Sequence, residues 1–152
     1  MLGIAARGSK QLAHSVMPHL LLVDDDLFRA SLGLKLVDEG YEVTSFNNGR
    51  EALAYLNGGS ADVMLLDWRM PGLTGIDVLR RMRGAGIAIP IIFLSVLSDD
   101  FYEQAALDGG AIDFIDKARR LPILLKRLQL IAQGRSASSR HRYGRRRFAS
   151  AN

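Results

Sequence analysis

A doubly wound α/β sandwich, a parallel sheet between two layers of helices, is the fold class this sequence predicts, and three observations carry it. Short apolar runs alternate five times with longer segments whose apolar residues recur at helical spacing. Gly40, Gly58, Gly84 and Gly109 stand where the first four helices should stop. The informative polar residues fall at the ends of the apolar runs, and sheets of this class bind ligands beyond the carboxyl ends of their strands.

The first strand is read over 19–24, "HLLLVD", and the first helix over 27–39, ended by Gly40. The second pair is "YEVTSF" (41–46) with a helix over 49–57 before Gly58. The third strand, "DVMLLD" (62–67), breaks at Pro71, which prevents its continuation, and Gly72 and Gly75 allow a tight route into a helix over 75–83. "PIIFLS" (90–95) precedes a helix over 99–108, and "AIDFID" (111–116) precedes the last helix, over 120–133. In that helix Leu121, Leu124, Leu125, Leu128 and Ile131 recur at the spacing of a core-facing stripe. Four of the five strands read as buried. Strands and helices alternating at these lengths imply parallel pairing through right-handed crossovers.

Composition narrows the function. The 152 residues, 48% hydrophobic and 24% charged, suit one folded domain. No apolar run approaches the roughly 20 residues of a membrane span, and the N-terminus lacks an apolar stretch of signal-peptide length, so a cytoplasmic location and no membrane partner are expected. Without cysteine there is no disulfide or thiolate metal site, and His14, His19 and His141 are scattered, so any metal would be held by oxygen.

Charge divides the chain. Residues 18–134 hold all 16 acids and 12 of the basic side chains, a net −4, whereas residues 135–152 carry six arginines and no acid. The expected organisation is an N-terminal extension (1–17), one domain (18–134) and a basic, disordered tail (135–152). Nucleic-acid attachment through phosphate contacts and a plain soluble linker both fit that tail. Met17 would itself make a typical start for the fold, which leaves residues 1–16 dispensable.

Asp24, Asp25 and Asp26 end the first strand, Asp67 the third, Ser95 the fourth, and Lys117 follows the fifth. Taken singly, each has a structural reading: Asp25 or Asp26 as a helix N-cap, Ser95 as a strand-end hydroxyl, Lys117 as a solvated residue. Taken together, carboxylates converging on one crevice need a cation, and a hard divalent ion fits an all-oxygen set. A lysine and a serine hydroxyl opposite them suit phosphoryl oxygens. The combination points to phosphoryl transfer.

These residues resemble the receiver domain of two-component response regulators over about residues 18–133. The resemblance rests on "VDDD", "LLDWRMPGLTGIDVLRRMR", "PIIFLS" and "GGAIDFIDK". It implies a flavodoxin-like (βα)5 fold of three layers with sheet order 2-1-3-4-5, and a signalling domain whose only chemistry is self-phosphotransfer and slow autodephosphorylation. Asp67 would accept the phosphoryl group. Mg²⁺, or Mn²⁺ in its place, would be held by Asp25 directly, by Asp24 through water, by Asp67 and by the backbone carbonyl of Arg69. Ser95 would bond the phosphoryl group and switch, Lys117 would pair with it, and Phe114 would be the switch aromatic. The implied partner is a sensor histidine kinase or a histidine phosphotransfer protein, with a homodimer through the last two helices and last strand.

The sequence departs from the family in three places. Ala118 follows Lys117 where proline is usual, and a cis bond there would cost about 2.5–4 kcal/mol, so a trans bond and a rearranged loop are expected. Val96 replaces the usual Ala or Gly; with Arg69 it is expected to tune access to the phosphoryl group and to slow exchange with small donors and water. Asp116 adjoins Lys117, but strand alternation sends it to the opposite face. A second resemblance, of "LLLVDDDLF" to haloacid-dehalogenase-type phosphatases, would make Asp24 the nucleophile and Asp26 the acid/base, with Ser95 and Lys117 supporting the phosphate. Against it, Phe28 replaces Thr or Val, Asp99 and Asp100 precede the lysine, and "DWRMPG" is left without a role.

Overall fold

The structure, a computed structural model, describes residues 17–96, 100–117 and 121–141. Strands β1 (His19–Val23), β2 (Glu42–Phe46), β3 (Val63–Asp67), β4 (Ile91–Ser95) and β5 (Asp113–Asp116) alternate with helices α1 (Phe28–Asp38), α2 (Gly49–Leu56), α3 (Gly75–Gly84), α4 (Asp100–Asp108) and α5 (Leu121–His141). The strands pair in parallel in the order β2-β1-β3-β4-β5, the expected doubly wound topology. The chain divides into two compact units, one ending at Asp116 and one beginning at Lys117. No helix among the described residues is long and apolar enough to cross a membrane.

In the first unit, strand alternation sorts the core onto two faces. Leu21, Val23, Met64, Leu66 and Phe93 join Ala52 and Leu56 of α2 and Val78, Leu79 and Met82 of α3 in one buried cluster. Leu20, Leu22 and Leu65 point the other way, where α1 supplies the buried Leu32 and Leu36. Gly33 brings α1 close: a Cβ there would lie 3.9 Å from Leu22 Cδ2. The central strands β1, β3 and β4 are almost wholly buried, but β2 and β5 are not. Burial of four strands was expected; three are buried, because β2 and β5 are the two edges of the sheet, a fact of pairing order that local hydrophobicity does not carry.

Local chemistry sets the helix ends. Asn48 caps α2, its side chain accepting from Glu51 N at 2.9 Å. Thr74 and Asp77 form a capping box on α3: Thr74 N and Oγ1 donate to Asp77 Oδ2 at 3.1 and 2.8 Å, and Asp77 N donates to Thr74 Oγ1. The Thr74 hydroxyl and then the Thr74 amide hold the Asp77 carboxyl below its ordinary range, outweighing the opposing effect of burial, with lesser help from Arg80 and Arg81. Because the folded state lowers this pKa, the stabilisation is present above the unfolded value of about 3.9 and is lost as pH falls through the lower folded value. Thr74→Ala is expected to cost about 1 kcal/mol at pH 7. That penalty shrinks in acid, which urea unfolding at pH 7 and pH 3 would measure.

At the opposite end of the sheet Arg83 Nη1 donates to Ile87 O (2.7 Å) and Ile89 O (3.1 Å), and Nη2 to Gly110 O (3.2 Å). One guanidinium thus fastens the end of α3 to the turn before β5, where Gly110 takes φ 98°. Lysine has one ammonium and cannot span three carbonyls in this fork. Arg83→Lys is expected to cost about 1–2 kcal/mol by thermal or urea unfolding.

In the second unit, Leu124 and Leu128 are buried positions of α5. The helix continues past the expected end at 133 to His141, into residues assigned to a disordered tail. An established helix adds a residue without a new nucleation step, and the Ala and Arg residues there are compatible with it. Residues 1–16 and 142–152, holding most of the N-terminal extension and the remainder of the tail, lie outside the described residues.

Candidate functional site

The strand order reverses between β1 and β3: from β1 the chain goes to β2 on one side, and from β3 to β4 on the other. A crevice at the carboxyl ends of these two strands is the expected ligand position. Val23 pairs with Leu66, which brings Asp24 and Asp67 to adjacent positions one step further along. Both lie on the α1 face of the sheet and both are buried, Asp24 at 0% and Asp67 at 5% exposure, while Asp25 and Asp26 are exposed. Each of the four offers a carboxylate oxygen, and these oxygens lie within 4.8 Å of one another.

Backbone contacts hold the acidic loop. Asp24 N donates to Phe46 O on β2 at 3.1 Å, and Asp26 N to Asp24 Oδ1 at 3.1 Å. Asp26 Oδ1 accepts from Phe28 N at 2.7 Å, which satisfies the first amide of α1. Neither Asp25 nor Asp26 is the N-cap: Leu27 occupies that position and offers no side-chain acceptor, so Asp26, one residue further out, takes up the Phe28 amide while its carboxylate also joins the cluster. Arg29 Nη1 donates to the Asp24 carbonyl at 3.0 Å, a contact that sequence spacing gave no reason to expect.

Asp67 sits at the start of an equally constrained loop. Arg69 N donates to Asp67 Oδ1 at 3.3 Å, Trp68 N to Leu94 O at 3.2 Å, and Gly75 N to Trp68 O at 2.9 Å. Gly72 takes φ 79°, a left-handed conformation that glycine adopts without steric cost. A hollow of about 270 Å³ opens between Asp25 and the loop after Asp67, lined by Asp25, Arg69, Met70, Pro71 and Thr74. Arg69 is exposed and Met70 is buried at 6%.

Ser95 is buried at the end of β4, one residue beyond the partner of Asp67. Asp116 is in register with Ser95, and Phe114 with Phe93, so these four share the face opposite Asp24 and Asp67. Val96 is 66% exposed in the loop that follows. Lys117 belongs to the second unit, half-buried in the turn after β5. The expected trans bond to Ala118 lies outside the described residues, as does Asp99.

A group of rings was not singled out from sequence. Trp68 follows Asp67 but points to the opposite face, 9% exposed, with its centroid 5.1 Å from Phe93, 5.3 Å from Tyr102 of α4 and 6.1 Å from Phe114. Strand alternation alone predicts that a residue beside a buried strand-end carboxylate enters the opposite core layer. Tyr102 had no comparable signal, since its partner is 34 positions away in the chain.

The sequence pattern of the response regulator receiver domain matches residues 20–129. The transcriptional regulatory protein DltR of Streptococcus agalactiae is 38% identical over 112 residues, covering 73% of this chain and 50% of DltR. Response regulator MprA of Mycobacterium tuberculosis is 37% identical over 113 residues, 74% of this chain and 49% of MprA. The chain spans about half the length of these curated relatives. Among solved structures, the receiver domain of the Francisella response regulator 1452 aligns with a TM-score of 0.73 at 31% identity, over 78% of this chain and 98% of its own. The chemotaxis response regulator CheY4 of Vibrio cholerae gives 0.70 at 32% identity, over 76% and 99%.

Proposed function

This chain belongs to the response regulator receiver family of two-component signalling, and from that premise we propose that Asp67 accepts a phosphoryl group from a partner histidine kinase or histidine phosphotransfer protein. The observation that carries the assignment is the convergence of Asp67 with Asp24, Asp25 and Asp26 at the switch point of the sheet. An oxygen of the Asp67 carboxylate bonds to phosphorus while the P–N bond of phosphohistidine breaks, its electron pair staying on the imidazole. Little covalent work falls to the protein, and positioning and charge screening dominate.

Four oxygen donors drawn together in this way fit a hard divalent cation such as Mg²⁺ or Mn²⁺. Asp24, Asp25, Asp67 and the Arg69 carbonyl are the residues assigned to hold it. When bound, it screens the negative charge of carboxylate and phosphoryl group. For the buried pair Asp24 and Asp67 in the ionised form, an effective dielectric near 20 makes their repulsion ~3 kcal/mol. Addition of Mg²⁺ is therefore expected to raise the thermal midpoint of the parent chain, and to do so less in Asp25→Asn. An equal rise in both would exclude Asp25 as a ligand.

Ser95 is the hydroxyl assigned to the phosphoryl oxygens, Lys117 the cation paired with them, and Phe114 the switch aromatic. Arg69 and Val96, both exposed, are assigned to access; Val96→Ala is expected to speed both labelling by acetyl phosphate and loss of the label. The receiver is assigned to residues 18–134, in the cytoplasm, with slow autodephosphorylation as its only turnover. Phe101, Leu107 and Ile112 are 72%, 46% and 49% exposed on α4 and the approach to β5, which supports a homodimer contact in that region.

The phosphatase alternative places the attacking carboxylate on Asp24. That residue is 0% exposed against 5% for Asp67, and four residues of the segment that follows Asp67, Arg69, Met70, Pro71 and Thr74, line the hollow. Intact-protein mass after acetyl phosphate and Mg²⁺ separates the two. A single phosphoryl adduct on the parent and none on Asp67→Asn is the expected result. An adduct that survives Asp67→Asn overturns the assignment, and continued phosphate release that only Asp24→Asn abolishes would restore the phosphatase.

A further inference from the structure

Phe114 lies on edge strand β5, where a ring can point either into the core or out to solvent. It is half-buried and packs on the core cluster, its centroid 6.1 Å from Trp68 and 6.5 Å from Phe93. Trp68 is held in turn from the helix side: Tyr102 meets it edge-on at 5.3 Å and 72°, and Phe101, 72% exposed, meets Tyr102 at 5.7 Å and 77°. A continuous chain of rings thus runs from the residue beside Asp67 to the surface of α4.

We propose that this aromatic chain latches Phe114 inward before any phosphoryl group is present, with Tyr102 as the positioning residue that fixes Trp68 as its seat. The inference rests on the reading of Phe114 as the switch aromatic and concerns how that switch is biased. An aromatic pair of this geometry shifts a two-state population roughly two- to tenfold beyond what burial alone gives. Phe114 makes two such pairs on the inward side, roughly five- to a hundredfold together if they add. A receiver that already occupies the inward arrangement does not lose affinity to a minor binding-competent state, so it takes a phosphoryl group or its mimic more readily than an unlatched one. By reciprocity, phosphorylation adds little movement at Phe114.

The test uses the full chain, with phenylalanine rings labelled for NMR and Phe114 assigned through Phe114→Leu. Before any phosphodonor, the latch predicts one Phe114 rotamer with ring-to-ring cross-peaks to Trp68, the single tryptophan of the chain, and little change after acetyl phosphate and Mg²⁺. Tyr102→Ala is expected to weaken those cross-peaks and to raise the concentration of beryllofluoride needed for half-saturation about two- to tenfold. Tyr102→Phe, which keeps the ring, should restore both; Tyr102→Leu serves if the alanine variant folds poorly. A rotamer-averaged or outward Phe114 that gains Trp68 contacts only after phosphorylation overturns the latch, as does unchanged beryllofluoride binding in both Tyr102→Ala and Tyr102→Leu. Intact mass on the same samples shows whether Asp67 was labelled, so failure of the latch is told apart from failure of the phosphoacceptor assignment.

Discussion

Phe93→Ala is expected to lower the unfolding free energy by about 3–5 kcal/mol, a large share of the 5–15 kcal/mol typical of a domain. Phe93 is 0% exposed and, among the described residues, is the bulkiest of the fully buried side chains. It sits on the central strand β4, in contact with the ring of Trp68, just past the end of β3, and with that of Phe114 on β5. The cavity left by its ring would be bounded by backbone on the sheet side, so collapse can relieve only part of it. Trp68 is the neighbour most able to lean into the space, and it is covalently next to Asp67. Loss of stability should therefore come with slower phosphoryl uptake at temperatures where the variant is still folded. Urea unfolding gives the first quantity and acetyl phosphate labelling the second; a penalty under about 1 kcal/mol would contradict the packing described for the site.

Gly75→Ala carries the second large effect, and its sign is the informative part. In an ordinary helix position this change stabilises by about 0.4–1 kcal/mol, because alanine loses less backbone entropy. At Gly75 a Cβ would collide with the Asp67 carbonyl oxygen, 2.7 Å from Phe93 Cε1 and 3.0 Å from Trp68 Cα. Two of these three atoms are backbone and cannot swing aside. A penalty of about 2–3 kcal/mol is expected, with displacement of the loop that carries Asp67 and a matching fall in labelling. Gly84, at the other end of the same helix, has no atom within 4 Å of its Cβ position and no positive φ. Gly84→Ala is expected to be neutral or mildly stabilising. Equal effects at the two glycines would mean that close packing behind Asp67 is not what selects glycine there.

Much of this molecule is legible in its amino-acid sequence. The five strands fall within two residues of their expected bounds because each is a short apolar run closed by a polar residue or a glycine, a signal that is local. The same pattern put Asp24, Asp67 and Ser95 at strand ends, and their placement at one edge of the sheet then followed from parallel pairing alone. Less was legible where the deciding contact is distant. Local hydrophobicity overstated how many strands are buried, since whether a strand is central or an edge depends on its neighbours. Asp26 was open to two roles, and its 2.7 Å contact with Phe28 N gives it the first amide of α1 from one residue outside the N-cap, Leu27. The extension of α5 to His141 was missed because polar, serine-rich composition signals disorder in isolation, while a helix already formed can propagate through it.

By itself the sequence determined the order of elements, the faces of the strands and the identity of the acidic residues, all of which depend on periodicity and on chemistry at single positions. Only the tertiary structure decided that four carboxylate oxygens fall within 4.8 Å of one another, that Arg29 reaches the Asp24 carbonyl, and that Trp68 joins Tyr102, Phe93 and Phe114 in one ring cluster. Such contacts join residues far apart in the chain, and their geometry is set by how packed layers fill space, which no local window of sequence contains.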